Sequence, residues 1–346
     1  MLRFHRWLGL LMAVFWILQA ATGIVLTFRW EIEDATLAGP RVPLDIAALG
    51  ARIETASREH GIVSDAWASS AASDRFDIYY TDASGADRVM RVDGAGGVLR
   101  DRSAANMLAE GALFDTLTKF HTSLFAGSTG KWLIGISGVL LLTNLVLGIQ
   151  MAWPRAGNWA RSMLSRPRGP TTARLRGWHR TLGLWGAIPA VLIVSAGIAL
   201  VFIEDLEKLF HAEIAAPKAS TSAARTIGPT EALAVALARY PGAKLSAIEM
   251  PNDEHAWYRV RLRASSDVHR NWGKTAVYIS AANGTVIEDQ RAHSLRSVRG
   301  ALDFVYPFHT GQAGGAVGRF LVLLIGAWLL TLMTFAIRAW LRSRSS

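Results

Sequence analysis

The sequence predicts a membrane α-helical fold: four transmembrane helices in two parallel repeats, plus two small periplasmic α+β domains. Three observations predict it. Four windows, residues 7–28, 132–153, 181–203 and 320–337, contain no Asp, Glu, Lys or Arg. Each approaches the roughly 20 apolar residues that a bilayer core requires. The chain also repeats itself at fixed spacing, and its basic residues gather at the ends of the apolar windows. With 51% hydrophobic and 18% charged residues, it is too apolar for an ordinary soluble protein and too charged for a wholly embedded one.

The first window opens with His5-Arg6-Trp7-Leu8-Gly9-Leu10 and closes on Gly23-Ile24-Val25-Leu26. The third opens with His179-Arg180-Thr181-Leu182-Gly183-Leu184 and closes on Gly197-Ile198-Ala199-Leu200. His5 to Gly23 is 18 residues, and so is His179 to Gly197. The first window exceeds the usual apolar core of a signal peptide, about 7–15 residues, and its twin lies inside the chain, so it reads as a retained helix. The second and fourth windows share another motif. Phe120-His121-Thr122 stands before Lys131 as Phe308-His309-Thr310 stands before Arg319, both His-to-cation spacings being 10 residues. Two halves result, about 1–153 and 175–346, each running span, intervening domain, Phe-His-Thr, span.

The two intervening segments read alike. In the first, residues 43–59 form a helix with Leu44, Ala48, Ile53 and Ala56 on one face. Strands follow near 76–81 and 88–92, then a helix over about 104–120. In the second, Pro229 starts a helix over 230–240. Strands follow near 244–250, 257–264, 275–280 and 286–289, with Asn283-Gly284 as a hairpin turn, and a closing helix covers 295–306. Each is expected to be a helix against a short antiparallel sheet.

Orientation follows from charge. The 154–177 connection carries Arg155, Arg161, Arg166, Arg168, Arg174 and Arg176 and no acid. Arg3 and Arg6 near the N-terminus, and Arg338, Arg342 and Arg344 near the C-terminus, fall on the same side of four spans. The positive-inside rule makes that side cytoplasmic and the intervening domains periplasmic. The net charge of +10 is therefore in part a topology signal, and nucleic acid is not expected as a partner. The absence of cysteine excludes disulfides, thiolate haem ligation, Cys-bound iron–sulfur clusters and covalent c-type haem.

Four duplicated histidines at the ends of apolar helices point to haem held between helices. Gly9 and Gly183 lie four residues after His5 and His179, on the same helix face, where a missing side chain leaves room for a porphyrin. Arg6 and Arg180 can pair with haem propionates at the membrane surface. His121 and His309 form the counterpart pair, with Lys131 and Arg319 as propionate partners. Two bis-histidine sites stacked across the bilayer would give an electron path from cytoplasm to periplasm. The remaining His60, His211, His255, His269 and His293 have no twin and are expected to be exposed. Gln19 and Asn144 are polar groups inside spans without repeat partners, and Pro189 is expected to kink the third. Trp132, Trp153 and Trp340 fit an interfacial belt, whereas Trp16, Trp185 and Trp328 lie deeper. Glu31, Glu33 and Asp34, like Glu204, Asp205 and Glu207, read as solvated helix ends.

In combination these motifs resemble the PepSY-associated transmembrane helix family, also called iron-regulated or iron-uptake membrane proteins. The resemblance spans nearly the whole chain. It implies PepSY-like periplasmic domains at 31–120 and 205–308, between transmembrane helices at 1–30 and 178–204 and ligand-plus-helix segments at 121–153 and 309–346, with 154–177 as a cytoplasmic linker. It implies two haem b groups on His5, His179, His121 and His309 in a bacterial inner-membrane ferric-chelate reductase. Electrons from the cytoplasmic side or the quinone pool would reduce a ferric siderophore and release Fe(II). The electron donor and the siderophore stay unnamed. The alternative is a PepSY-domain binding or regulatory membrane protein without redox activity.

Overall fold

A computed structural model describes every residue except 38–40, 71, 165–166, 218–225, 266, 269–270 and 345–346. Arg166 and His269 lie outside the described residues. The chain forms two compact units: Met1–Phe28, Leu117–Leu209 and Phe304–Ser346, and Arg29–Thr116 with Phe210–Asp303.

The first unit is a helical bundle. Its long helices are α1 (Leu2–Thr27), α5 (Gly127–Ala152), α7 (Thr171–Val201) and α11 (Gly315–Arg342), with α6 (Trp159–Leu164) and α8 (Ile203–Leu209) as short additions. All four long helices are long and apolar enough to cross a membrane. They extend beyond the four charge-free windows because helices run on into the interfacial region, where charge is tolerated. Pro189 lies inside one continuous helix. The helices pack as a ring, α1 on α5 and α11, α7 on α5 and α11, so α1 and α7 face each other across it.

The second unit is a sheet covered on one face by two helices. Its elements are α2 (Arg29–Ala35), α3 (Ile46–Glu59), β1 (Gly61–Ala68), β2 (Arg75–Asp82), β3 (Asp87–Asp93), β4 (Val98–Ser103), α9 (Pro229–Arg239), β5 (Lys244–Glu249), β6 (Trp257–Arg263), β7 (Thr275–Ser280) and β8 (Val286–Gln290). Where the sequence predicts a separate short sheet in each segment, all eight strands join one antiparallel sheet. Its order, β4-β3-β2-β1-β5-β6-β7-β8, reads alike from either edge. The halves meet at β1 and β5, where Ala66 opposes Ile248. Both strands carry a register shift at a serine, Ser64 or Ser246. Since 246 − 64 and 248 − 66 are both 182, the central pair joins matched positions.

One apolar core unites the halves. Leu49, Ile53 and Ala56 of α3 and Ala232, Leu233 and Ala236 of α9 pack on Phe76, Ile78, Tyr258, Val260 and Ile279. The helices approach so closely that a Cβ on Gly50 would overlap Thr230. Asp45 caps α3 by accepting from the Ala48 N–H at 3.1 Å. The Gly228 N–H donates to Glu231 at 2.9 Å where α9 begins.

Several expectations need correction. Strands β1 and β4 were not read from the sequence: the Ser64 bulge breaks the alternation of β1, and the polar β4 lies at the sheet edge. The helix expected over 104–120 is α4 (Leu113–Ser123). Its first residues turn instead, with Asn106 accepting from the Leu108 N–H and Gly111 at φ 76°. The helix expected over 295–306 is α10 (Val298–His309), extending through the second Phe-His pair. Glu33 and Asp34 are not solvated. Glu33 is buried and meets Arg91 at 2.8 Å, and Asp34 meets Arg75 at 2.9 Å. The second unit needs these carboxylates to satisfy guanidiniums on the polar face of its sheet. His211 and His293 are exposed as expected, but His60 and His255 are partly buried, and His255 stacks on Trp257 at 3.6 Å.

Candidate functional site

The bundle brings the duplicated histidines into two pairs. His5 on α1 and His179 on α7 meet with ring centres 6.3 Å apart and planes at 62°. Their Nδ1 atoms point to carbonyl oxygens on neighbouring helices: His5 to Asn144 at 3.1 Å, His179 to Leu332 at 3.0 Å. A carbonyl only accepts, so each Nδ1 carries the proton and each Nε2 keeps its lone pair. A second-shell hydrogen bond of this kind orients an imidazole that ligates a metal. An imidazole nitrogen sits about 2 Å from a metal it binds, so two bonds plus two half-rings place the ring centres roughly 6 Å apart. The observed 6.3 Å fits one metal between them.

A cavity of about 400 Å³ surrounds this pair, within the roughly 300–1,000 Å³ of ligand pockets. Its walls are mostly apolar, with Arg6, Arg176 and Arg180 among its lining and, among the described residues, no carboxylate. Gly9 and Gly183 line it as well. A Cβ on Gly183 would meet open space, and one on Gly9 would stand 3.3 Å from the Asn144 amide. This chemistry suits a flat apolar ligand with anionic arms and a metal at its centre, which is the description of haem. Arg176 was missed as a site residue. Its spacing, three residues before His179 and four before Arg180, places all three on one face of α7.

His121 near the end of α4 and His309 at the end of α10 are the second pair, close enough to interact electrostatically. Each lies against the glycine that closes the duplicated motif. A Cβ on Gly23 would stand 3.2 Å from His121 Cε1, and one on Gly197 would stand 2.9 Å from His309 Cε1. His309 Nδ1 donates to the Ile193 carbonyl at 2.9 Å. His121 Nδ1 bonds the Gln19 carbonyl and meets Thr22 Oγ1 at 2.9 Å. On α7, His179 and Ile193 are 14 residues apart, roughly 21 Å at the helical rise of 1.5 Å. The two pairs are therefore distinct sites along the bundle.

The remaining candidates lie elsewhere. Lys131 pairs with exposed Glu204 at 3.2 Å. Arg319 donates to the Thr27 carbonyl at 3.0 and 2.6 Å and lies over the Phe28 ring at 4.5 Å. Trp16 is buried and donates to Ser137 at 3.0 Å, while Trp328 donates to the Leu182 carbonyl at 2.7 Å. Trp185 is 57% exposed rather than deep in the bundle. Among the described residues no group of three or more His, Cys, Asp or Glu gathers for a metal, so each pair of imidazoles stands as a two-ligand set.

No curated protein matches this chain. The family model for the PepSY-associated TM region matches residues 2–343. With its four apolar helices, its antiparallel sheet and that match, the chain is a membrane protein of the PepSY-associated TM region family.

Proposed function

We propose that the protein is a di-haem b electron-transfer protein, with His5 and His179 on one haem and His121 and His309 on the other. One observation carries the reading. Two facing imidazoles, 6.3 Å apart, hold their Nδ1–H groups on backbone carbonyls and turn their Nε2 atoms free, beside a cavity without carboxylates. Bound haem iron supplies one-electron transfer, and two neutral imidazoles favour a six-coordinate low-spin site suited to it. The chain's own part is to orient the ligands, to clear space at Gly9 and Gly183, and to offer propionate partners in Arg6, Arg176 and Arg180.

The repeats are read as parallel, related by an axis along the membrane normal. The 154–177 connection and both termini are cytoplasmic by the charge rule, and the sheet unit is periplasmic. Electrons from a cytoplasmic or quinone donor would cross the stacked sites to a periplasmic acceptor, a ferric chelate such as a ferric siderophore. Reduction weakens the Fe(III) chelate and releases Fe(II), with no general acid or base required.

Purified protein from haem-sufficient cells is expected to be red, with a Soret band and sharp α and β bands on dithionite reduction. His309→Ala is expected to remove about one haem of two. A colourless preparation defeats the proposal and favours a PepSY-domain binding module. Unchanged haem content in His309→Ala defeats the pairing.

A further inference from the structure

The two halves of the bundle are not alike around their histidines. Matching positions by the spacings 179 − 5 = 174 and 309 − 121 = 188 puts Gln19 opposite Ile193, Thr22 opposite Ala196 and Asn144 opposite Leu332. In each case the first-half histidine has the polar neighbour. His5 bonds Asn144 where His179 bonds Leu332, and His121 bonds Gln19 and meets Thr22 where His309 bonds Ile193 alone. The carbonyl acceptors are therefore common to both halves, and side-chain polarity is added in the first half only.

Thr22 is the clearest case. It is buried, and its hydroxyl lies 2.9 Å from the Leu18 carbonyl and 3.0 Å from the Gln19 carbonyl, so its proton is taken by the helix backbone. The lone pair left on Oγ1 faces His121 Nδ1 at 2.9 Å and accepts from it. The proton on His121 Nδ1 thus has two acceptors, the Gln19 carbonyl and the Thr22 hydroxyl. At Ala196 no hydroxyl is available for His309. Stronger donation from Nδ1–H makes the opposite nitrogen a more basic ligand, which favours the higher charge on a bound metal.

We infer that Thr22 is a positioning residue that makes His121 the more basic ligand of its pair, so that the His121/His309 site has one strengthened and one ordinary imidazole. This rests on the haem reading above. The test is a potentiometric titration of the full-length protein, with electron paramagnetic resonance of the oxidised form. Thr22→Val keeps the shape and removes the acceptor. It is expected to retain both haems, raise the midpoint of one haem by up to about 59 mV, a tenfold shift in its redox equilibrium, and move one set of g values. Thr22→Ser is expected to restore both. Ala196→Thr supplies a hydroxyl at the matched position and is expected to lower the midpoint of the same haem.

Unchanged midpoints and g values in both Thr22→Val and Ala196→Thr overturn the inference. Loss of a haem in Thr22→Val that Thr22→Ser does not restore assigns Thr22 a packing role and also overturns it. A wild-type protein that binds no haem instead defeats the underlying reading, so the two failures are distinguishable.

Discussion

The bundle and the sheet carry the same duplication to different ends. In the bundle, matched positions keep matched tasks: His5 and His179 face each other, and His121 and His309 rest on Gly23 and Gly197. In the sheet, matched positions diverge. Aligned on the Ser64 and Ser246 bulges and the strand registers, Arg75, Asp77 and Arg91 correspond to Trp257, Arg259 and Tyr278. The first half builds ion pairs, Arg91 to Asp77 at 2.6 Å and to Glu33 at 2.8 Å. The second half builds ring contacts, with His255 stacked on Trp257 at 3.6 Å and Tyr278 edge-on to Trp257 at 4.9 Å. A sheet face tolerates any set of side chains that pack and satisfy one another. A site shared between two imidazoles needs both, so neither copy is free to change.

The largest effect is expected where the divergence is most polar. Arg91→Met strands two buried carboxylates, Asp77 and Glu33. Burial already raises Glu33 above the ordinary carboxylate value, with Arg91 opposing that rise. A loss of about 3–5 kcal/mol is expected in urea unfolding of the sheet unit. The matched change, Tyr278→Phe, touches only a hydroxyl 3.4 Å from Gln290 and is expected to cost about 1 kcal/mol or less. Equal losses would break the contrast between the halves.

A smaller effect is expected at the histidine pairs. Gly23→Ala and Gly197→Ala should both press on an imidazole and weaken haem retention, about 10- to 100-fold in affinity. Gly197→Ala should be worse, because its new Cβ would stand 2.9 Å from the ring against 3.2 Å at Gly23. Haem titration of the two variants in parallel decides it, and the reverse order would break the assignment.

The smallest effect is expected at Asp303. Burial alone would raise its carboxyl, but Lys274 at 2.9 Å and Arg299 at 3.3 Å hold it below the ordinary value of 3.8. A depressed acid stabilises the fold above its unfolded value and loses that contribution as pH falls through its folded value. Asp303→Asn should therefore cost about 1 kcal/mol at neutral pH. The difference from wild type should vanish on acidification below pH 3.8. A difference that persists in strong acid would show that Asp303 acts through packing.

The four spans and the two histidine pairs were legible in the sequence. Long charge-free windows have few other uses, and an exact repeat of spacing marks equivalent places. Most of the sheet's strands were legible as well. Two escaped because β1 is interrupted at Ser64 and β4 is a polar edge strand. Arg176 escaped as a cavity residue because it was read only as a topology signal, and Thr22 because a lone hydroxyl in an apolar helix carries no pattern of its own.

The sequence by itself determined the class of fold, the membrane, the family and which histidines belong to the repeat. Those rest on local composition and spacing, which the chain states directly. Tertiary structure alone decided that the two intervening segments share one sheet, because strand partners are chosen by long-range edges. It alone decided that the first-half histidines gain polar neighbours at Thr22 and Asn144, because those contacts cross between helices far apart in the chain.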